Sequence, residues 1–281
     1  MSTLLANWIA ALRRLGARPG LHPLFFAYLG APTVRLRTVF AVREVLGRTG
    51  VLRKPVFLYR LRENGLRVAI RHGSGDALIL GEVFNRRYSV YQPTDEVEQA
   101  LGQVRSIVDL GGNVGLFGLF AAAHWPQAQI VAFEPDPDNV AVHERTIAAN
   151  GLTERWQLIK TAASNRNGRA SFMAGLARDS HIVDATDSEQ TIEVPVSDVL
   201  ARIAQADLLK MDIEGGEWAI LGDARFREAP PRAVVLEYHR HLCPGTDPRA
   251  EAESALRAAG LRVQSIAEGG DIGMFWAWRT Y

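Results

Sequence analysis

Ile107-Val108-Asp109-Leu110-Gly111-Gly112-Asn113-Val114-Gly115 carries an apolar run into an acid and a glycine-rich turn, and helical texture follows. A strand that ends in such a turn places backbone N–H groups at a helix start, in the crevice beside the carboxyl ends of a parallel sheet, where nucleotide-type ligands are held. A second apolar run, Ile130-Val131-Ala132-Phe133, ends in Glu134, about twenty residues past the glycines, the distance at which a carboxylate accepts hydrogen bonds from ribose hydroxyls. The turn reads D-x-G-x-N-x-G instead of the dinucleotide G-x-G-x-x-G, with Asp109 in the lead. An acid there disfavours a pyrophosphate and favours a ligand carrying ammonium and sulfonium charge, which describes S-adenosylmethionine. The plainer alternative is that Asp109 only closes the turn while the glycines allow tight packing.

Four motifs in order give the chain a resemblance to the FkbM-type methyltransferases: Val108-Asp109-Leu110-Gly111-Gly112-Asn113-Val114-Gly115, Phe133-Glu134-Pro135-Asp136-Pro137-Asp138-Asn139, Ala163-Ser164-Asn165 with Gly168, and Leu209-Lys210-Met211-Asp212-Ile213-Glu214-Gly215-Gly216-Glu217. The likeness covers roughly residues 106 to 224 and departs at Val196-Ser197-Asp198-Val199, where the family often has Thr-Leu-Asp-Asp. It implies a Rossmann-like class I methyltransferase, an α/β fold with a seven-stranded, mostly parallel sheet and a terminal antiparallel hairpin. It also implies O-methylation of a hydroxyl on a small molecule or sugar, in secondary metabolism or glycan tailoring. The cofactor-binding set is then Asp109, Gly111, Gly112, Asn113, Gly115, Glu134, Pro135, Asp136 and Asp212, with Ala162 and Ala163 beside the adenine.

The periodicity predicts strand 106–110 then helix 114–124, strand 129–134 then helix 137–150, strand 156–162 then an insertion, strand 207–213 then a helix from 216, and strand 233–239 then helix 248–259. Arg262-Val263-Gln264-Ser265-Ile266 and Met274-Phe275-Trp276-Ala277-Trp278 close the chain as a hairpin. The expected organisation is an N-terminal helical extension over 1–53, a small β element with a linker helix over 54–105, and the methyltransferase domain over 106–281. Within the β element, Val56-Phe57-Leu58-Tyr59-Arg60-Leu61 and Leu66-Arg67-Val68-Ala69-Ile70 flank Asn64-Gly65 as a hairpin, and residues 76–83 read as a further strand. Asn85-Arg86-Arg87-Tyr88 and Tyr91 read either as the mouth of a substrate pocket or as ordinary loop residues.

Chemistry beyond the donor concentrates near two strand ends. Asp212 and Glu214 lie two apart, as do Glu237 and His239, so each pair shares a face wherever the strand persists. His239 is the best general base by intrinsic pKa, with Asp212 or Glu237 orienting it or contacting substrate, and the same cluster could hold a divalent cation that acidifies a substrate hydroxyl. Against this, Glu214 and Glu217 also suit a helix N-terminus, and Lys210 suits neutralising an acid. His181, in the polar loop between Arg169-Ala170-Ser171-Phe172-Met173 and Thr191-Ile192-Glu193-Val194-Pro195-Val196, is a further catalytic candidate; solvated loop histidines are the commoner kind.

The 281 residues are 47% hydrophobic and 22% charged, ordinary globular values, and a net charge of +1 gives no case for a nucleic-acid partner. The single cysteine, Cys243, excludes an internal disulfide and suits a reducing, cytoplasmic setting. Leu4, Leu5, Trp8, Ile9, Leu12 and Leu15 recur at helical spacing, over too few residues to span a bilayer and without a basic start or cleavage site. With the Leu24-Phe25-Phe26-Ala27-Tyr28-Leu29 cluster this helix packs on its own domain, pairs with a second copy in a homo-oligomer or rests on a membrane. Two other functions fit part of the pattern: an NAD-dependent oxidoreductase, disfavoured by Asp109 and the missing third fingerprint glycine, and a catalytically silent nucleoside-binding partner protein.

Overall fold

The computed structural model describes residues 27–52, 55–85, 89–174, 181–183, 191–267 and 269–280. The helix read over 4–15, residues 24–26 of the apolar cluster, and Arg86, Arg87 and Tyr88 lie outside the described residues. Of the rest of that cluster, Ala27 and Leu29 are buried and Tyr28 is exposed.

Helix α1 (Arg37–Arg48) leads to the hairpin of β1 (Val56–Arg60) and β2 (Arg67–Arg71), paired antiparallel from Val56↔Arg71 to Arg60↔Arg67. Asn64 and Gly65 sit in its connection, where Gly65 takes φ +74° and Asn64 Oδ1 accepts from the Leu66 N–H at 3.0 Å. A buried polar triad pins α1 to the hairpin: the His72 ring lies 2.8 Å from Glu44 Oε2 through Nδ1 and 2.6 Å from the Tyr59 hydroxyl through Nε2. Residues 76–83 form a helix, α2 (Asp76–Phe84), and not the strand expected. Ala77, Leu78, Leu80, Gly81, Val83 and Phe84 are all buried, so the run shows no amphipathic period by which helix and strand differ. A short helix α3 (Asp95–Leu101), capped by the Thr94 side chain, brings the chain to the main sheet.

That sheet alternates with helices as a doubly wound fold requires: β3 (Ser106–Leu110), α4 (Leu116–His124), β4 (Gln129–Phe133), α5 (Pro137–Ala149) and β5 (Trp156–Ile159). The insertion holds β6 (Ala162–Ser164), β7 (Gly168–Met173), β8 (His181–Val183), β9 (Thr191–Asp198) and the turn of helix α6 (Leu200–Ile203). Then come β10 (Leu208–Met211), α7 (Glu217–Leu221), α8 (Ala224–Glu228), β11 (Ala233–His239), α9 (Pro248–Ala258), β12 (Arg262–Ala267) and β13 (Ile272–Trp278). The seven-stranded order is β12-β13-β11-β10-β3-β4-β5. β13 runs antiparallel to β11 and β12, and the remaining pairs are parallel. The run expected as one strand over 156–162 is split: the chain leaves the sheet after Ile159, and β6 joins a second, four-stranded sheet of order β6-β9-β7-β8.

Both faces of the main sheet are covered, which is why its strands are near-continuous apolar runs. One face packs Ile107, Ile130, Leu208 and Val235 with α4, α2 and the N-terminal elements; the other packs Val108, Leu110, Met211 and Leu236 with Trp218, Phe226 and Leu256. The N-terminal hairpin thus shares the core of the sheet. No helix among the described residues is long and apolar enough to cross a membrane.

Candidate active site

The glycine turn sits at the carboxyl end of β3 and is tied to β4, because the Gly111 and Gly112 N–H groups both donate to the Phe133 carbonyl, at 3.1 and 2.8 Å. Gly111 takes φ +75°, Asn113 +47° and Gly115 +84°, left-handed conformations that glycine adopts freely and asparagine more readily than most residues. Space is as restrictive as conformation: a Cβ on Gly111 would overlap the Asp212 carbonyl oxygen, and one on Gly115 would lie 2.6 Å from the His143 ring. His143, on α5, is fully buried beneath the turn with Nδ1 2.9 Å from the Asn113 carbonyl. Burial pushes its pKa down to about 4, so at neutral pH the uncharged ring donates from Nδ1 to that carbonyl. The sequence reading missed His143, whose only signal is its spacing within α5.

Glu134 follows β4 and is 4% exposed. Its Oε2 accepts from the Asn113 N–H at 2.7 Å; its Oε1 accepts from the Asp136 N–H at 2.9 Å and from Asn139 Nδ2 at 3.3 Å. Burial pushes its pKa up to about 7, against the pull of those three donors. Asp136 caps α5, accepting from the Asp138 N–H, and Pro135 lies between the two acids. Asp109 is wholly buried, and the cation at its carboxylate is Lys210. Lys210, its neighbour in register on β10, holds Nζ 3.4 Å from Asp109 and 3.5 Å from Asp212, and donates to the Leu110 and Gly111 carbonyls at 3.2 and 2.6 Å. Burial raises the pKa of Asp109 against the attraction of Lys210. For Lys210 burial opposes the charge, and Asp212, Asp109 and Glu237 outweigh it, so the ammonium persists. Ala162 and Ala163 are buried in β6, on the second sheet.

Beside the glycine turn, at the ends of β10 and β11, four carboxylates surround His239. Its Nδ1 lies 3.1 Å from Glu217 Oε1, and its Nε2 lies 3.3 Å from Glu214, 3.9 Å from Asp212 and 3.9 Å from Glu237. Strand pleat does not bring Asp212 and Glu214 together as expected, because β10 ends at Met211; a turn with Glu214 at φ +52° carries Glu214 round to the imidazole instead. The carboxylate hydrogen-bonded to the ring is neither Asp212 nor Glu237, each 3.9 Å from Nε2. It is Glu217, which is fully buried at the start of α7 and accepts from the His239 N–H at 2.7 Å and the Gly215 N–H at 2.8 Å. Trp218 supports the end of β11 by donating from Nε1 to the His239 and His241 carbonyls. Burial disfavours the imidazolium, yet Glu217, Glu214 and Asp212 together push the His239 pKa up to about 10. An intrinsic pKa near neutrality therefore does not describe this ring: without a competing cation it already holds its proton at pH 7.

Asp212, Glu214 and His239 each offer a ligand atom within 4.8 Å of the others. Tyr91 closes the same region. It is buried, its ring centroid 5.1 Å from Phe117, and burial with the nearby charges of Asp212, Glu237, Glu82 and Asp109 holds its hydroxyl pKa well above the usual value. His181 stands elsewhere in the topology: it opens β8, paired with Met173 on the four-stranded sheet. The segment 196–199, which departs from the family pattern, ends β9 at Asp198. That acid caps the Leu200 N–H and meets Arg225 at 2.7 Å, and Arg225 in turn donates to Asp223 and to the Asn165 carbonyl.

A sheet of this order, with its last strand inserted antiparallel, a glycine turn after the first parallel strand and an acid after the second, defines a Rossmann-like class I methyltransferase. Residues 109–261, slightly more than half of the chain, match the methyltransferase FkbM domain, and the chain belongs to that family of methyltransferases, which implies S-adenosylmethionine as methyl donor. "Methyltransferase 1" of Beauveria bassiana is 26% identical over 184 residues, covering 56% of this chain and 72% of that protein. The 31-O-demethyl-FK506 methyltransferase FkbM of Streptomyces tacrolimicus is 27% identical over 215 residues, covering 63% and 79%. Among solved structures, methyltransferase FkbM from Methylobacillus flagellatus aligns with a TM-score of 0.45 at 15% identity over 72% of this chain, which spans only 54% of that one.

Proposed function

We propose that the protein transfers a methyl group from S-adenosylmethionine to a hydroxyl oxygen of a small molecule or sugar, with a divalent cation at Asp212, Glu214 and His239. The observation that carries this reading is the juxtaposition, at neighbouring strand ends, of a donor-type crevice with an imidazole facing three carboxylates. The name of the Streptomyces relative supports an oxygen acceptor. Membership in a methyltransferase family weighs against the nicotinamide alternative.

The crevice fits the donor on two observations: Asp109 is a wholly buried carboxylate whose one charged neighbour at its oxygens, Lys210, is shared with Asp212 and two backbone carbonyls, and Glu134 is a buried carboxyl held in place by fixed donors. Gly111, Gly112, Asn113 and Gly115 shape the turn, Glu134 takes the ribose hydroxyls, and Pro135, Asp136, Ala162 and Ala163 border the base. When bound, the donor supplies an electrophilic methyl carbon: the acceptor oxygen bonds to it as the carbon–sulfur bond breaks and its electron pair returns to sulfur. Glu237, which the proposed cation set leaves uncoordinated, is the carboxylate that would accept the hydroxyl proton.

A cation fits because Glu217 fixes His239 through Nδ1 and leaves Nε2 toward Asp212 and Glu214, the carboxylate–histidine arrangement of metal sites. A bound cation would lower the pKa of the acceptor hydroxyl. Calorimetric titration with S-adenosylmethionine, S-adenosylhomocysteine and NAD tests the first half, and binding of the first two alone is expected. Turnover with hydroxylated acceptors should stop with EDTA and return with Mg²⁺, while S-adenosylhomocysteine still binds in EDTA. Chelator-insensitive turnover rejects the cation, and binding of none of the three ligands favours the silent-partner alternative.

A further inference from the structure

The hairpin and α2 lie outside the matched domain of residues 109–261, yet a continuous buried polar chain leads from them to Glu134. Asp76 accepts from the Arg71 N–H at 2.9 Å, from its Nε at 3.1 Å and from its Nη2 at 2.9 Å. The same Nη2 donates to Asn139 Oδ1 at 2.7 Å, and Asn139 Nδ2 donates to Glu134 Oε1 at 3.3 Å. Exposure along the chain is 0% for Asp76, 9% for Arg71, 1% for Asn139 and 4% for Glu134.

The order of groups is dictated by their chemistry. A guanidinium has donors only, so it compels the Asn139 amide to present its oxygen to Arg71 and its NH₂ to the carboxylate. Asp76 holds the guanidinium in the fork geometry that makes this contact directional. The rest of β2 is docked along the same helix: the Ala69 N–H donates to Thr146 Oγ1 at 3.1 Å, and the Arg67 N–H to Asn150 Oδ1 at 2.8 Å. Positions 139 and 146, with Asn150 at the C-terminal cap, lie along one side of α5, the helix that begins just after Glu134.

We propose that Arg71 and Asn139 are positioning residues that aim the Glu134 carboxylate at the ribose hydroxyls, which makes the N-terminal hairpin part of the cofactor site. This rests on the reading of the crevice as an S-adenosylmethionine site. Fixing a buried carboxylate from behind leaves its outward lone pairs in one orientation, and so makes recognition of two hydroxyls specific.

The test is calorimetric binding of S-adenosylhomocysteine and of its 2′,3′-dideoxyribose analogue to the full chain. The unaltered protein should prefer the hydroxylated ligand. Asn139→Leu, with the same branching and number of side-chain heavy atoms but no amide, should weaken S-adenosylhomocysteine about tenfold and leave the dideoxy analogue unchanged, so that the preference collapses. Arg71→Lys keeps charge beside Asp76 but loses the fork; it should lower the preference severalfold and add nothing in the Asn139→Leu background. Equal weakening of both ligands, an unchanged preference, or additive single effects would overturn the relay. Should Asn139→Leu fail to fold, the ligand preference of Arg71→Lys alone decides. Failure of the unaltered protein to bind S-adenosylhomocysteine overturns the reading of the site and is distinct from each of these results.

Discussion

On the β3–β4 side of the site ionisable groups are held one at a time by fixed hydrogen-bond partners, whereas on the β10–β11 side they crowd around a single ring. Glu134 has three N–H partners and His143 one carbonyl, and burial drives both toward their uncharged forms. His239 has four carboxylates within 3.9 Å and is driven the other way, toward its cation. The first arrangement suits recognition of a neutral, shaped group such as a ribose. The second suits the handling of a proton or a metal ion. Lys210 stands between them, within 3.5 Å of one acid on each side.

The comparison breaks most completely at Gly111, where the two sides touch. In Gly111→Ala the methyl group meets the Asp212 carbonyl at a left-handed φ, and S-adenosylhomocysteine affinity should fall more than ~100-fold, roughly 3 kcal/mol, as read by calorimetry. Retained affinity would show that the turn shifts without cost and that the two sides are not mechanically joined.

His143 sharpens the first side through stability. Its folded pKa of about 4 lies below the ordinary 6.5, so the unfolded chain takes up a proton first and stability falls as pH drops from 6.5 to 4. The loss is on the order of 3 kcal/mol at its limit. Denaturant melts of the parent and His143→Gln should differ in slope across that window, and parallel curves would mean that His143 charges freely when folded.

Glu217→Gln sharpens the second side. With the orienting charge replaced by an amide, kcat should fall about 10- to 100-fold while S-adenosylhomocysteine affinity stays within about twofold. A parallel loss of affinity would show that the two sides are coupled. The smallest effect belongs to Glu134: ribose hydroxyls donate to its charged form, and its ligand-free pKa is raised to about 7. Affinity should therefore drop severalfold from pH 7.5 to 6, at most about tenfold per pH unit. Glu134→Gln should abolish that dependence; a slope of opposite sign would remove the carboxylate from the ribose.

Much of the frame is legible in the order of residues. β3, β4 and β11 lie within one residue of their expected ends because strands covered on both faces need unbroken apolar runs, and such runs are visible as letters. Asp109, the glycines and Glu134 were legible for a related reason: a positive φ and a strand-end acid are local requirements. α2 was misread because a helix with seven of its nine residues buried has almost lost the polar face that gives a helix its period.

By itself, then, the sequence determined the sheet, the glycine turn and the family, since each depends on local preference and spacing. Only the tertiary structure decided which ring lies under the turn, that Glu217 and not Asp212 or Glu237 is hydrogen-bonded to the His239 ring, and that Arg71 reaches Asn139 across 68 positions. It also decided that two histidines with one intrinsic pKa are driven to about 4 and about 10. Protonation and orientation depend on burial and on charges within a few ångströms, and those neighbours come together only when segments remote in the chain pack.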